Sequence, residues 1–273
     1  MKVDYTFHSH TYRCGHAVGD IHDYVHLAIK KGYKIYGVSD HVMFPDFDEP
    51  GIRGKYSEIE DYVEEYKRVK EKYSNQIQMY LGFECEYSKY YLDYYKSFLK
   101  EKGFDYLICG QHNGFDKNRK FYGYSPFIPG SLEQYKDDFI EAMKTGIFLY
   151  YAHPDLFFIF TTEVTEEYKR LSKEIIDAAI KYDAVLEINI HGLLRERNRD
   201  GQLFIDYPCE YFWKEVAKTN IKVVYGGDFH DPREIDDDAN MELFKSFVKK
   251  CGIKLSDINE IYNEYQKRLK KLL

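Results

Sequence analysis

Seven short apolar runs alternate with longer amphipathic segments along this 273-residue chain. Val, Ile, Tyr and Phe dominate the short runs, which is typical of buried β-strands, whereas the longer segments repeat their apolar residues at helical spacing. Strands that alternate with helices predict βαβ units and a parallel sheet. The predicted strands span residues 2–8, 33–39, 77–84, 104–110, 146–153, 184–190 and 222–228.

The segments between and after these runs complete the predicted α/β fold. Helices are predicted over residues 22–32, 57–73, 132–146, 165–182 and 207–220, and two further helices are predicted to close the chain after residue 230. Residues 42–56 and 113–130 are polar and interrupted by Gly and Pro, so we expect loops that cover or wall a pocket. Because no linker or repeat divides the chain, we expect one domain over residues 1–273, either a barrel or a doubly wound open sheet.

A side chain that can bind a metal ion stands at, or just after, the end of every predicted strand. In a parallel α/β fold these ends share one face of the sheet, which is where active sites are built. Histidines with independent structural roles have no reason to gather there, so the pattern predicts a metal site. The candidate ligands are His8, His10, His16, Asp40, His41, Glu84, His112, His153, Asp228 and His230.

The number and type of these ligands indicate what they hold. His8 and His10 are two residues apart on a strand and therefore point to the same face. A catalytic zinc takes about three protein ligands, so nine or ten ligands would serve two or three ions. Mixed imidazole and carboxylate sets favour Zn, Mn or Fe over Mg or Ca, which prefer oxygen ligands.

Several other candidates have simpler explanations. His191 follows the sixth predicted strand and is expected to line a pocket or to have a structural role. His22 and His26 are four residues apart on a predicted helix, but no HExxH frame accompanies them, so an exposed helix face is expected. Cys14 and Cys85 lie close to proposed ligands but lack the paired spacing of thiolate sites. The five widely spaced cysteines predict reduced thiols in a cytoplasmic protein.

Charge and missing motifs narrow the function. A net charge of −7 disfavours a protein that binds long nucleic acids through their phosphates. No signal-peptide pattern is present and no apolar run approaches the ~20 residues of a membrane span, so no membrane association is expected. The chain has no GxSxG, GxxxxGK[ST] or strand-linked GxGxxG motif. A cluster of two or three metals without a cofactor motif points to hydrolysis, because paired ions activate water and clamp the oxygens of an in-line displacement.

The combined motifs FHSHTYRCGH, VSDH, GFE, GQH, AHPD, EIN with HGL, and GGDFH resemble those of the PHP (polymerase and histidinol phosphatase) family. Their order and spacing are similar to the histidinol-phosphate phosphatase branch, and the resemblance runs from about Val3 to Pro232. It implies an α/β fold of the distorted (β/α)7 TIM-like barrel type with a trinuclear metal site. The implied activity is metal-dependent hydrolysis of a small anionic phosphomonoester, histidinol phosphate, in histidine biosynthesis.

The resemblance also distributes the ligands among three ions. It implies catalytic roles for Glu84, Asp228 and His230. The first ion would be held by His8, His10, Glu84 and Asp228. The second would be held by Glu84, His112 and His153, with Glu84 bridging. The third would be held by His16, His41 and His230. The G-x-E frame selects Glu84, which leaves Glu86 in a supporting or surface position.

The phosphate-binding arginine departs from the family pattern. The phosphatases that the chain resembles place an Arg directly after Gly-Leu in the loop after the sixth strand, whereas here Arg195 comes one residue later and Arg197 follows it. Either side chain could bind phosphate through a bidentate contact. Arg13 is a further candidate, and a solvated surface charge is the alternative for each. The departure leaves the identity of the substrate less defined than the class of reaction.

Three alternatives stay open at this level. An amidohydrolase-type (β/α)8 enzyme also begins with HxH, but it would need an eighth strand and a bridging lysine where this chain has Glu84. A relative of the same fold could act on another phosphomonoester, on phosphotyrosine or on short oligonucleotides. A metal-binding scaffold without turnover would keep the cluster and act through a partner.

Overall fold

Seven parallel strands in sequential order form the central sheet of the computed structural model, which describes residues 2–115, 121–123 and 128–273. The strands are β1 (Tyr5–Thr6), β2 (Ile35–Val38), β3 (Gln78–Cys85), β4 (Tyr106–Gly110), β5 (Tyr151–Ala152), β6 (Leu186–Asn189) and β7 (Val223–Gly226). Each strand lies within a predicted run, or within one residue of it. The seven predicted strands and the parallel sheet are therefore confirmed.

The sheet curves until its first and last strands meet. Ser9 and Phe229 form a parallel bridge just beyond β1 and β7. There the amide of His10 donates to the carbonyl of Phe229 at 2.9 Å, and the amide of Asp228 donates to the carbonyl of His8 at 2.8 Å. The contact is made at the carboxyl ends of the strands. The fold is thus a nearly closed, distorted (β/α)7 barrel and not an open sheet.

Helices surround this barrel. They are α1 (Ile21–Lys31), α2 (Ile59–Tyr73), α3 (Leu92–Lys100), α4 (Ser131–Thr145), α5 (Glu166–Lys181), α6 (Ile190–Leu194), α7 (Glu210–Val216), α8 (Arg233–Asp236), α9 (Asp238–Cys251) and α10 (Ile258–Leu272). Local sequence sets the ends of α1, where Asp20 forms a capping box with Asp23 and Gly32 ends the helix at a φ of 86°. Among the described residues, no helix is both long and apolar enough to cross a membrane.

Some elements differ from the sequence-based expectations. Helix α3 was not predicted, and α7 is shorter than the predicted helix over 207–220. The predicted loop over 42–56 is confirmed, since no helix or strand occurs there before a single helical turn at Tyr56–Glu58. The predicted loop over 113–130 contains an antiparallel hairpin of Asn113–Phe115 with Phe121–Gly123, whereas residues 116–120 and 124–127 lie outside the described part of the chain.

Tyrosine supplies much of the core. The Tyr106 ring is fully buried, and its hydroxyl donates to the carbonyls of Phe7 and Val38, each at 2.9 Å. Tyr62 likewise donates to the carbonyl of Gly82 at 3.1 Å. A buried phenol thus fills core volume and also satisfies the strand backbone. The chain contains 28 tyrosines, and these contacts show a structural use for the buried ones.

The last helix covers the end of the barrel opposite to the carboxyl ends of the strands. In α10 the Tyr265 hydroxyl donates to the carbonyl of Ile147 at 2.9 Å. Arg268 donates to the carbonyls of Gly146 and Phe148 at 2.9 and 2.8 Å. These carbonyls precede β5. The closing helices therefore leave the carboxyl ends of the strands open, where the candidate ligands lie.

Candidate metal centre

Glu84 occupies the centre of the cluster that the sequence predicted. It follows Phe83 near the end of β3 and is 1% exposed. Ring nitrogens of five histidines lie within 3.6 Å of its two carboxylate oxygens: His8 at 3.3 Å, His10 at 3.5 Å, His41 at 3.0 Å, His112 at 3.6 Å and His153 at 3.0 Å. Burial alone would raise the pKa of Glu84, but the surrounding imidazoles hold it well below its ordinary value. A carboxylate in this position can contact two metal positions at once.

Glycine makes room for this carboxylate. A Cβ atom built on Gly110, in the neighbouring strand β4, would lie 1.8 Å from Oε1 of Glu84. In the same way, a Cβ on Gly226 of β7 would lie 1.9 Å from the carboxyl carbon of Glu187 in β6. The two strand glycines are therefore required by the close approach of buried carboxylates.

Asp228 forms the second anionic centre. Its Oδ1 lies 2.9 Å from Nε2 of His10 and 3.3 Å from Nε2 of His8. Its Oδ2 accepts a hydrogen bond from the side-chain Nδ2 of Asn189 at 3.0 Å. Asp228 and His153 both have positive φ angles, of 48° and 30°. Such strain in a non-glycine residue clusters at functional sites.

A second layer of polar residues holds the histidines in place. Oε2 of Glu187 lies 2.9 Å from Nδ1 of His8. Asp40 lies behind His10 at 3.7 Å, and its oxygens accept hydrogen bonds from the amide and hydroxyl of Thr11 and from the amide of His41. Asp40 was a candidate ligand. Because its lone pairs are used by these donors, we interpret it instead as a residue that orients His10.

His16 and His230 face each other at the rim of the cluster. Nδ1 of His16 lies 3.0 Å from the carbonyl of Gly51, and Nδ1 of His230 lies 2.9 Å from the carbonyl of Asp228. Since a carbonyl accepts only, each Nδ1 carries the proton and each neutral ring keeps a lone pair on Nε2. The two Nε2 atoms are 3.0 Å apart. Two facing lone pairs repel each other unless a cation lies beside both, which is the arrangement of a shared metal ligand pair.

The buried polar atoms test whether metal ions fit this site. Nε2 of His8, Nε2 of His10, Nδ1 of His41 and Oε2 of Glu84 are buried, and although carboxylate or imidazole atoms lie close to them, the directions of these contacts form no hydrogen bond among the described residues. Leaving such atoms unsatisfied is costly, and a coordinated ion would satisfy them. The residues present therefore fit a group of divalent ions.

The ligand atoms form overlapping groups. Within each group the atoms lie within 4.8 Å of one another: His8, His10 and Asp228; His8, Glu84 and His153; His41, Glu84 and His112; His10, His41 and His230; and Cys14, His16 and His230. The first group contains three of the four residues that the family resemblance assigns to the first ion, without Glu84. His41 lies next to Glu84 and His112 as well as to His230, so the geometry does not separate the second and third sets as the resemblance does.

The pKa values of the clustered histidines are shifted in two directions. Burial lowers the pKa of His8, but nearby carboxylates outweigh it and raise this pKa well above its ordinary value. The pKa of His10 is likewise raised to about 9 against the effect of burial, with the largest contribution from Asp228. Burial and the charge on His10 lower the pKa of His41 to about 4 and that of His230 to about 2. The carboxylates thus draw positive charge into the cluster, as they would draw metal ions.

The three candidate phosphate-binding arginines have different environments. Arg195 lines a cavity of about 300 Å³ together with His112. Arg197 lines a different cavity and donates to the carbonyl of Tyr207 at 3.1 Å. Arg13 is buried and donates to the carboxylates of Asp20 and Asp61 at 2.6 Å each. Arg195 thus lines the same cavity as a candidate ligand, whereas the Arg13 guanidinium is paired with two carboxylates and stabilises its loop.

The remaining candidates fall where simpler explanations placed them, or close by. His22 lies 2.7 Å from the Lys72 ammonium and its ring stacks on that of the exposed His26, away from the cluster. The His191 ring lies 4.9 Å from that of His230, at the rim of the site. Cys14 is buried and belongs to a group with two rim histidines, whereas Cys85 belongs to none of the groups among the described residues.

Some supporting residues had only weak signals in the sequence. Glu187 and Asn189 are two residues apart on β6 and so share a face, which is a signal for their common role. Glu86 is 1% exposed and forms a two-point salt bridge with Arg53, at 2.9 and 3.2 Å. Arg53 was not singled out, because nothing in a polar loop sequence shows that one of its charges is buried.

Comparisons with known proteins agree with this site. The family model for the PHP domain matches residues 6–191. The chain belongs to the PHP domain family. It is 25% identical to a protein of Schizosaccharomyces pombe named "Probable histidinol-phosphatase", over 90% of this chain and 86% of that protein. A protein of Deinococcus radiodurans with the same name is also 25% identical, over 84% of this chain and 86% of that protein.

Solved structures share the fold. Histidinol phosphate phosphatase of Lactococcus lactis, solved with zinc, L-histidinol and phosphate, superposes with a TM-score of 0.68 at 17% identity and covers 92% of this chain and 95% of its own. The described sheet has seven strands, and the residue at the centre of the cluster is Glu84 and not a lysine, so both features differ from the amidohydrolase pattern. Family, fold and relatives together identify the chain as a metal-dependent phosphoesterase.

Proposed function

We propose that this chain is a histidinol-phosphate phosphatase, which hydrolyses histidinol phosphate to histidinol and phosphate in histidine biosynthesis. The observation that carries the proposal is the Glu84-centred cluster, whose His112 also lines a cavity that contains Arg195. The names of the two relatives and the ligands of the Lactococcus structure support the choice of substrate.

We propose that two or three divalent ions, of Zn, Mn or Fe, occupy the cluster. Glu84 would bridge two of them, with His8, His10 and Asp228 on one side and His112 and His153 on the other. His16, His41 and His230 would hold a third ion near the rim. When bound, such ions activate water near neutral pH and neutralise phosphoryl oxygens.

The protein's own residues would bind and orient the substrate. The Arg195 guanidinium can hold phosphoryl oxygens through a bidentate contact, which fixes the phosphorus near the cluster. Its cavity has largely apolar and aromatic walls, which include Leu132, Phe157 and Tyr207. A volume of about 300 Å³ suits a small leaving group. Glu187 and the other supporting residues hold the imidazoles in the orientation that leaves their free nitrogens facing the cluster.

Two further expectations belong to the proposal. We propose that residues 1–273 act as one domain, because core residues from the first strand to the last helix form one contiguous cluster. We also propose a cytoplasmic location, which the five free and buried cysteines support.

A comparative phosphatase assay tests the proposal. Phosphate release from histidinol phosphate would be measured beside release from phosphotyrosine, from a short 5′-phosphorylated oligonucleotide and from simple alkyl phosphates, with Zn²⁺, Mn²⁺ or Fe²⁺ supplied. We expect the highest kcat/KM for histidinol phosphate. A clear preference for another monoester would refute the substrate, and no release from any substrate by metal-loaded protein would indicate a scaffold without turnover.

A further inference from the structure

One loop contacts the outer side of two metal-ligand candidates from different strands. The loop follows β2, and its segment 49–53 contains Glu49, Gly51 and Arg53. Gly51, in the middle of the segment, contacts His16, and Arg53, at its end, contacts Glu86, which lies behind His112. No metal ligand itself belongs to this segment.

Arg53 and Glu86 form a buried ion pair next to His112. Arg53 is 3% exposed, and it donates to both oxygens of Glu86, to the carbonyl of Val42 at 3.0 Å and to Glu49 at 2.9 Å. Burying a guanidinium is costly unless its donors are satisfied, and these contacts satisfy it. The pair is therefore fixed in one geometry and not free to rotate.

Glu86 passes this fixed geometry on to His112. Its Oε1 lies 3.5 Å from Nδ1 of His112, while Nε2 of the same ring lies 3.6 Å from Glu84. At this distance the contact is electrostatic and not a hydrogen bond. The negative charge of Glu86 favours the proton on Nδ1 of His112, which leaves Nε2 free for a metal ion and makes it more basic. His112 is also the candidate ligand that lines the cavity with Arg195, so its orientation affects both the cluster and the cavity.

The middle of the segment fixes His16. The carbonyl of Gly51 accepts from Nδ1 of His16 at 3.0 Å, which directs Nε2 toward His230. The backbones touch here, because a Cβ on Gly15 would lie 2.8 Å from the Cα of Gly51. Gly51 has a φ of 84°, which favours glycine. The position of this carbonyl is thus set by the loop's own turn.

We propose that segment 49–53 is a clamp that positions two metal ligands, His112 through Arg53 and Glu86, and His16 through the Gly51 carbonyl. Arg53 and Glu86 are positioning residues, because they act through His112. The clamp rests on the proposed metal-binding function, and it predicts that the loop sets the affinity of the ions that His112 and His16 would hold. A displaced loop would release those ions while His8, His10 and Asp228 keep theirs.

Metal affinity without substrate tests the clamp. Zn²⁺ would be titrated into apo-protein in competition with a chromophoric chelator, and bound metal would be counted by mass spectrometry, for Arg53→Met, Glu86→Gln and the double variant. These variants remove the contact behind His112 and keep the Gly51 carbonyl. We therefore expect the equivalent held by His112 to bind about 10- to 100-fold more weakly in each single variant, with the other equivalents nearly unchanged. The double variant should be no weaker than the singles, because the two residues act as one unit.

Two further variants control for stability. Arg268→Met removes a guanidinium that bonds backbone carbonyls at the opposite end of the barrel, and it should leave every affinity unchanged. Arg53→Lys keeps the charge without the two-point contact and should give an intermediate affinity. Unchanged affinities in both Arg53→Met and Glu86→Gln, or equal losses in Arg268→Met, would overturn the clamp. If Arg53→Met does not fold, the isosteric Glu86→Gln decides. An unmodified chain that binds no metal would instead refute the proposed function.

Discussion

Replacing Glu84 by Gln should remove two metal ions together. The change keeps the shape of the side chain but removes the charge that five imidazoles surround within 3.6 Å. Glu84 belongs to one ligand group with His8 and His153 and to another with His41 and His112, so both positions lose a charged carboxylate ligand.

The size of the effect follows from burial. Removing one partner of a buried charge pair costs about 3–5 kcal/mol, which is roughly a 100-fold to several-thousand-fold loss of affinity at each position. Because Glu84 is 1% exposed, solvent cannot replace the lost carboxylate. Phosphatase activity should fall with the bound metal.

Metal counting after dialysis and chelator competition would measure this loss. The matched control is Glu65→Gln, which neutralises a largely buried carboxylate on α2 that pairs with Arg68, away from the cluster. The control should keep all metal equivalents. If Glu84→Gln still binds two equivalents as tightly as the unmodified chain, Glu84 does not bridge two ions and the assignment of the first two positions is wrong.

Four other substitutions test three separate parts of the structure. Arg195→Met should lower kcat/KM about 10- to 150-fold, the worth of hydrogen bonds to a charged group, whereas Arg197→Met should change it less than about twofold; steady-state kinetics would expose equal effects. Burial raises the pKa of Asp155 to about 7 against an ordinary value of 3.8, so its stabilising contribution is complete below pH 4 and lost as pH rises through 7. The free energy of unfolding of Asp155→Asn, relative to that of the unmodified chain, should therefore increase by about 4 kcal/mol between pH 4 and pH 8. Urea unfolding in which the two free energies differ by the same amount at every pH would contradict this. Gly110→Ala should abolish binding of the bridged ions, because its Cβ would overlap the carboxylate of Glu84; unchanged metal content would show that the strands can separate.

The sheet and the location of the site could be predicted from the sequence because both depend on local pattern. Apolar runs of strand length alternate with amphipathic segments, and the side chain that ends each run has the chemistry of a metal ligand. His8, Glu84 and Asp228 come from three distant parts of the chain, yet parallel topology alone brings their strand ends to one face. The structure places them together as that rule requires.

Helix α3 could not be predicted in the same way. Its sequence contains several aromatic residues, and Tyr95 and Phe98 are its only fully buried positions among nine residues. Aromatic residues have modest helix propensity and also occur in strands, so the local signal was ambiguous. Packing against the barrel decides its conformation.

The roles of the arginines depend on partners that sequence spacing does not reveal. Arg13 and Arg53 are both buried, but one pairs with carboxylates 7 and 48 residues away and the other with Glu86, 33 residues away. Arg195 and Arg197 are two residues apart after α6, yet they line different cavities. Long-range pairing of this kind requires the fold.

The most direct test of the central claim is the rate of phosphate release from histidinol phosphate as metal is returned to chelator-stripped protein. We expect almost no activity without metal and a saturable recovery as two or three equivalents of Zn²⁺, Mn²⁺ or Fe²⁺ bind. Full activity in the stripped protein, or no activity after the equivalents are bound, would contradict it.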